Sequence, residues 1–343
     1  MNPVRLSKSR RASRIAPAVA AALLLTACAD GSGGGLPAAD ASDACRAQAA
    51  ELDRSGQFFA VPIVAGGVAV VGAGGVLGTR PGVVGGLVWA ATSAAAAVTA
   101  VAYLDQRRRE AAGNEAALAT AIGNDIDREN AGLAQTQAAL DGVMDCRLRE
   151  ARRVQEAARA GAIQRQEAAA QLAAMRAQAE RELAFSRTIE QRVQARAVDL
   201  DAGVAAVAPG APPAPPPRPA VVVRPARPVP LQAAPVAAAA PAPTPTVAPR
   251  QEVRVLPARN PDFVAVETPA GQPLGYAPVA VFSIPAAQTR AIAMPALATG
   301  LDATAPGRVR TLASTNIVRR DNFREAVGDF QRVVSAGGFE LGT

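Results

Sequence analysis

The chain has 343 residues and is 50% apolar, but only 3% of its residues are aromatic, so large side chains that could fill two packed cores are scarce. The formal net charge is +7, yet five basic residues lie within the first 14 positions, and the remainder gives no footprint for nucleic acid. Histidine is absent, which removes the commonest general base and metal ligand. We expect a mainly α protein that is not an enzyme and that holds no metal or cofactor.

Residues 1–27 have the pattern of a bacterial signal peptide. A basic region precedes an apolar run over Ile15–Leu25, which is too short to span a bilayer. The run ends in Leu-Thr-Ala-Cys at Cys28, which resembles the lipobox of bacterial lipoproteins, where the cysteine thiol takes a diacylglycerol group. The resemblance implies lipidation of Cys28. An ordinary secretory cleavage site and an uncleaved anchor are the alternatives.

The residue after the lipidated cysteine bears on where the chain is sorted. Lipoproteins that stay in the inner membrane carry Asp there, whereas this chain has Ala29. The resemblance therefore implies an outer-membrane protein that faces mainly the periplasm, with the inner membrane as the alternative. Residues 28–57 would then form a lipidated tether and a short helix.

Residues 58–104 carry a single charge, Arg80, which lies in a turn between two apolar segments. Each segment is long enough, as a helix, to cross a hydrocarbon core of ~30 Å. Small residues recur at helical spacing, which lets helices approach closely in lipid. This pattern resembles the glycine-zipper hairpins of bacterial envelope proteins, and a hairpin buried in a soluble assembly is the alternative. The predicted helix-association positions are Gly74, Gly78, Gly82 and Gly86.

The arginines at 107–109 conflict with an inner-membrane hairpin. Lipidation would place both ends of the hairpin in the periplasm, whereas the positive-inside rule places such arginines in the cytoplasm. An outer-membrane location, or a hairpin that enters only one leaflet, removes the conflict.

Residues 105–208 lack proline and are rich in Ala, Arg, Gln and Glu, which predicts a helical stalk. Apolar residues recur every seven positions from Ile126 to Leu140 and again from Leu172 to Leu200, which predicts a coiled coil or a helical hairpin. We expect the charged residues here, such as Arg147, to form a solvated face.

Cys45 and Cys146 would lie in the oxidising periplasm. A straight helix from residue 105 would carry Cys146 ~60 Å away, so an intrachain disulfide requires the stalk to fold back, for example between Gly123 and Gly132. An interchain disulfide and free thiols are the alternatives.

Residues 209–250 contain two proline clusters and no acidic side chain, which predicts a disordered, extended linker without regular helix or sheet. Residues 251–343 predict a small mixed unit with β-rich runs at 251–256, 262–268 and 278–284. The runs Phe263–Val266 and Gly275–Val279 resemble the end of a bacterial SH3-like domain, which would extend over 251–284 and which implies binding to peptides or to the cell wall.

An amphipathic helix is predicted over 321–336, with Asp321 as its N-cap. Its apolar face has two alternative partners, the small β-rich unit or a groove on another protein. The residues of this face are Phe323, Val327, Phe330 and Val334.

These patterns together indicate a non-catalytic envelope lipoprotein that serves as a scaffold or as a subunit of an envelope-spanning assembly. The alternative is an oligomeric pore or export-channel component lined by the glycine-zipper hairpin. The expected partners are membrane lipid, contacted through Cys28 and the hairpin, further copies of the chain or other envelope proteins, and peptidoglycan. No constellation of a nucleophile, a base and an oxyanion-binding motif supports a wall hydrolase.

Overall fold

The described structure is mainly helical, with a small strand-rich region in the C-terminal half of the chain, as predicted. It is a computed structural model that describes residues 35–36, 41–61, 63, 93–210, 218–238, 246–282, 284, 305–335 and 338–341. The described α-helices are α1 (Arg46–Gln57), α2 (Ser93–Glu110), α3 (Glu115–Arg159), α4 (Arg165–Val207) and α5 (Ala305–Ser335). We call these five helices the helical body.

Several predicted features lie outside the described residues. These are the signal peptide, Cys28, and most of the apolar hairpin with Gly74, Gly78, Gly82 and Gly86. Within the described ranges, no helix is both long enough and apolar enough to cross a membrane.

The predicted stalk is a helical hairpin made of α3 and α4. The side chain of Asn114 caps the start of α3 by accepting a hydrogen bond from the backbone N–H of Ala117 at 3.0 Å. The chain reverses after α3 at Gly161, whose φ of +69° suits a residue without a side chain. The residues predicted at the heptad positions are buried along the seam between the helices, among them Ile126, Leu133, Leu140, Leu172, Ala179, Ser186, Val193 and Leu200.

The stalk does fold back toward Cys45, but not between Gly123 and Gly132. Both of those glycines lie inside α3, and the chain instead reverses at Gly113, between α2 and α3, with a φ of +81°. A single glycine inside a helix costs only ~1 kcal/mol relative to alanine, so glycine alone did not locate the bend.

Helices α1 and α5 pack on the α3–α4 hairpin in opposite directions. In α1, Glu51 accepts a hydrogen bond from Gln135 at 3.1 Å, and the start of α1 lies beside Cys146, so α1 is antiparallel to α3. In α5, Asn316 donates to Asn130 at 3.0 Å, and Glu340, just beyond the helix, lies beside Gln155, so α5 is parallel to α3.

The amphipathic face of α5 packs within the same chain. Its four predicted residues are buried in a core that also contains apolar side chains of α3 and α4. These four residues of α5 are Phe323, Val327, Phe330 and Val334. Neither interpretation that the sequence left open, the β-rich unit or a groove on another protein, describes this packing. The reason is that α5 begins at residue 305 and is much longer than the predicted helix over 321–336. It can therefore lie along an apolar stripe of α3.

The strand-rich region, which we call the β region, contains a four-stranded antiparallel sheet and a two-stranded ribbon. The sheet has the order β1-β4-β5-β6, and the ribbon pairs β2 with β3. Their bounds are β1 (Val221–Val223), β2 (Val229–Pro230), β3 (Thr246–Val247), β4 (Val253–Pro257), β5 (Phe263–Glu267) and β6 (Pro273–Pro278).

Two predictions for this region were wrong. The first is that residues 209–250 form no sheet, since β1, β2 and β3 lie there and Val229 and Val247 are buried in the β core. The second is that 278–284 forms a strand. The strand lies instead at Pro273–Pro278, and a 3₁₀ turn follows it. Gly275, with a φ of +145°, lets β6 approach the backbone of Gln232, which exchanges two hydrogen bonds with Tyr276.

A buried ionic cluster around Arg259 joins the β region to the helical body. The guanidinium of Arg259 is fully buried, pairs with Asp141 of α3 at 3.0 Å, and also contacts Asp329 of α5. Tyr276 of β6 donates a hydrogen bond to Glu325 at 2.5 Å. Burial raises the pKa of the Asp141 carboxyl, and the charge of Arg259 opposes that effect. The β region is therefore fixed to α3 and α5 by charged groups shielded from water.

Candidate functional site

Both described ends of the stretch 58–104 belong to the helical body. At the first end, Phe58–Ala60 forms a 3₁₀ turn in which Phe59 is buried, and Ile63 packs against the core. At the second end, Ala100 and Tyr103 of α2 are buried. A hairpin that enters the hydrocarbon core of a bilayer could therefore comprise at most 64–99, which is shorter at both ends than the predicted hairpin. We call residues 64–99 the apolar segment, of which 64–92 lie outside the described residues.

Arg196 of α4 holds the first end. Its guanidinium pairs with the carboxylate of Glu129 of α3 at 2.5 Å and donates a hydrogen bond to the backbone carbonyl of Val61. The same guanidinium lies over two aromatic rings, at 4.9 Å from the centroid of Phe58 and 5.7 Å from that of Phe59. Glu129 is only 2% exposed, so this is a buried ion pair, and its loss would leave an unpaired charge in the core.

Gly132 of α3 provides the space for the Phe58 ring. A Cβ atom added at Gly132 would lie 2.7 Å from two atoms of that ring, which is closer than carbon atoms pack. Glycine is therefore required here by the approach of Phe58 rather than by its own backbone conformation.

Asp125 of α3 holds the second end. Its carboxylate accepts hydrogen bonds from Arg107 at 2.7 and 2.8 Å and from the Tyr103 hydroxyl at 2.9 Å. Burial of Tyr103 and the neighbouring carboxylate raise the pKa of its hydroxyl above the ordinary value near 10. Gly203 of α4 lets the Tyr103 ring approach, since an added Cβ would lie 3.1 Å from it. Arg107 therefore forms its ion pair within the chain, with Asp125.

The two attachments lie one helical turn apart. Asp125 and Glu129 are four residues apart on α3, which corresponds to a rise of ~6 Å. The apolar segment therefore leaves the helical body and returns to it at the same place. We call this place the base, and it consists of Phe58, Phe59, Val61, Tyr103, Arg107, Asp125, Glu129 and Arg196.

A second buried cluster fixes the start of α1. The structure joins Cys45 and Cys146 in an intrachain disulfide. Next to it, Arg147 pairs with Asp43 at 2.6 Å and with Glu182 of α4 at 2.5 Å. Burial raises the pKa of Glu182. For Asp43, burial acts in the same direction, but the hydrogen bonds from Arg147 and the backbone outweigh it and lower the pKa.

The prediction that Arg147 lies on a solvated face was therefore wrong. Its side chain is only 3% exposed, because α4 and the residues before α1 cover it. The neighbouring Arg149 and Arg153 are exposed and form the short-range pairs that the sequence indicated. A run of charged residues on a helix thus contained one buried member.

Three charged residues of the base, Asp125, Glu129 and Arg196, were not predicted from the sequence. A signal was present, because Asp125 and Glu129 lie on the stripe that Ile122, Ile126 and Leu133 define at helical spacing. Acidic residues on an apolar stripe indicate buried ion pairs, since an unpaired buried carboxylate is too costly. Among the residues that the structure describes, no group of His, Cys, Asp and Glu side chains could hold a metal ion.

No family model, curated protein or solved structure matches the chain.

Proposed function

We propose that the chain is a non-catalytic bacterial envelope lipoprotein that acts as a structural scaffold or as a subunit of an envelope-spanning assembly. The observation that carries this proposal is the base, which holds both ends of the apolar segment to one turn of α3. Lipidation of Cys28 would supply the attachment to the membrane. The helical body and the β region would then supply a rigid platform beside it.

The base supports a hairpin that enters the bilayer and returns to the same side. From residue 64 to Gly78, at the predicted turn, the chain would extend only ~22 Å even as a helix, which is less than the ~30 Å of a hydrocarbon core. A hairpin that enters one leaflet fits this length. It also removes the conflict with the positive-inside rule, because that rule concerns segments that cross the inner membrane and a hairpin in one leaflet does not cross it.

The internal bonds of the platform support a mechanical role. The disulfide ties α1 to α3, and the Arg259 cluster ties the β region to α3 and α5. A load applied to the β region would therefore reach α3, which also carries the base. This arrangement suits a protein that connects a membrane to other envelope components, including peptidoglycan or further copies of the chain.

Cross-linking in intact cells, followed by identification of the proteins that co-purify, tests the proposal. We expect the wild-type chain to capture envelope proteins or copies of itself. Gly78→Leu should reduce this capture while the chain stays on the membrane. The matched control is Gly142→Leu, since a Cβ at Gly142 of α3 would meet nothing within 4 Å.

Three outcomes would contradict the scaffold. One is a wild-type chain that captures nothing and is monomeric in detergent. Another is equal capture by Gly78→Leu and wild type, which would remove the hairpin from the assembly. The third is purified protein that forms detergent-resistant oligomers and conducts ions across planar bilayers, which would instead support the pore.

A further inference from the structure

Six large apolar side chains are exposed in the described residues, and three of them adjoin the apolar segment. Two precede its first residue and one follows its last residue, whereas one lies on α4 and the remaining two lie in the β region. They are Phe58, Val61, Val101, Val198, Val222 and Val281.

Val101 points away from the core of the helical body. It lies two residues before Tyr103 on α2, and a separation of two residues places side chains on nearly opposite faces of a helix. Tyr103 is buried against α4, while Val101 is 60% exposed. On the other side of the base, the backbone carbonyl oxygen of Val61 accepts the hydrogen bond from Arg196, and the Val61 side chain is 53% exposed.

We propose that the surface of the helical body around the base lies in the membrane–water interface, with Phe58, Val61 and Val101 in contact with the lipid bilayer. The inference rests on the proposed function, because it requires that the apolar segment enters the bilayer. It goes further by assigning a lipid contact to the folded helical body itself.

The distance along the chain leaves no room for a spacer. Phe59 is buried in the core, and only four residues separate it from residue 64, which limits the separation to ~17 Å even in a fully extended chain. Ile63 packs against the core, which shortens it further. At the second end, Ala100 is buried one residue after the apolar segment. A bilayer that receives the segment from residue 64 onward therefore meets the surface of the base.

The contact is apolar rather than electrostatic. Three arginines near the base have acidic neighbours, since Arg107 and Arg128 both pair with Asp125, and Arg108 lies 3.9 Å from Asp105. Paired charges give little attraction to anionic headgroups. Neutral and anionic vesicles should therefore be contacted alike.

Fluorescence quenching by brominated phosphatidylcholine tests the inference on the full chain. The variant is Val101→Trp in a background of Cys28→Ala and Trp89→Phe, which removes the acyl anchor and the native tryptophan. The matched control is Val222→Trp on β1, because Val222 is 59% exposed and Val101 is 60% exposed. We expect Val101→Trp to lose fluorescence in brominated vesicles and to shift its emission to shorter wavelength, while Val222→Trp shows neither change.

Vesicle flotation separates the failure of this inference from that of the proposed function. If the chain floats but Val101→Trp is quenched no more than Val222→Trp, the interface contact is wrong and membrane entry stands. If the chain does not float, entry of the apolar segment into lipid is wrong and the contact falls with it. Protection of Val101→Trp that depends on protein concentration in detergent would assign the surface to a second copy of the chain and would overturn the inference.

Discussion

Removal of the Arg196 guanidinium should destabilise the helical body far more than removal of an exposed arginine. In Arg196→Met, the carboxylate of Glu129 stays 2% exposed and loses its partner at 2.5 Å. Breaking a buried pair in this way costs about 3–5 kcal/mol, because the remaining charge is neither hydrated nor compensated. The lost contacts with two aromatic rings add about 1 kcal/mol. We therefore expect the free energy of unfolding to fall by about 4–6 kcal/mol.

The assay is urea unfolding of the full chain in mild detergent, followed by far-ultraviolet circular dichroism. Arg176→Met is the control, since the Arg176–Glu180 pair on α4 is exposed on both sides and should contribute less than about 1 kcal/mol. The double variant Arg196→Met/Glu129→Leu should recover most of the loss, because it leaves no buried charge. If Arg196→Met lowers the free energy of unfolding no more than Arg176→Met does, the base is not a buried ionic attachment.

Three further predictions concern packing, the disulfide and pH. Gly142→Ala should raise the free energy of unfolding by about 0.5–1 kcal/mol, because alanine favours the helix and nothing lies in its way. Gly132→Ala should lower the free energy of unfolding, because the new methyl group would collide with the Phe58 ring. Equal effects of the two variants in urea unfolding would contradict the close approach of Phe58 to Gly132. Replacing Cys45 and Cys146 with alanine should lower the free energy of unfolding by about 2–5 kcal/mol, since the bridge spans 101 residues. On non-reducing gels the wild type should migrate as a monomer whose mobility changes on reduction, and a dimer that disappears on reduction would contradict this. Tyr103 and Tyr276 are both buried with raised pKa values, so the stability that their burial contributes is complete below pH ~10. Above that pH, the free energy of unfolding should fall by about 1.4 kcal/mol per pH unit for each tyrosine. Unfolding at several alkaline pH values, with ultraviolet absorbance to follow ionisation, checks this, and tyrosines that ionise near pH ~10 in the folded protein would contradict it.

The parts of the fold that depend on local period were predictable from the sequence. The seven-residue spacing from Ile126 to Leu140 and from Leu172 to Leu200 identifies buried positions of α3 and α4, and the spacing in α5 identifies its buried face. The spacing of apolar residues predicts that a helix face is buried, but it does not predict which residues cover that face. The packing of Phe323 against α3 and α4, rather than against strands, was therefore not predictable.

The β region shows the limit of composition. Proline clusters predict extended chain between 209 and 250, yet Val221 pairs with Val255 and Val229 with Val247. Short valine-rich runs become strands only when distant residues supply partners, and that pairing leaves no local pattern. Arg259 is a similar case, because its acidic partners come from α3 and α5, far away in the sequence.

Part of the candidate site was predictable from the sequence, namely the apolar stretch but not the base that holds its two ends. The low charge of 58–104 identifies an apolar stretch, but only the structure shows that its two ends meet on one turn of α3. The acidic residues Asp125 and Glu129 are the sequence features that could have located the base. They were not recognised because a carboxylate on an apolar stripe can also be solvated at its edge.

We propose that the chain is anchored in the bacterial envelope by lipid on Cys28. This is tested by density-gradient separation of cell membranes, combined with mass spectrometry of the N-terminal peptide. We expect the wild-type chain to be recovered with outer membranes and to begin at an acylated Cys28, whereas Cys28→Ala should lack the acylated peptide and should no longer be sorted to outer membranes. A wild-type chain with an unmodified Cys28, or one recovered in the soluble fraction, would show that the lipid anchor is wrong.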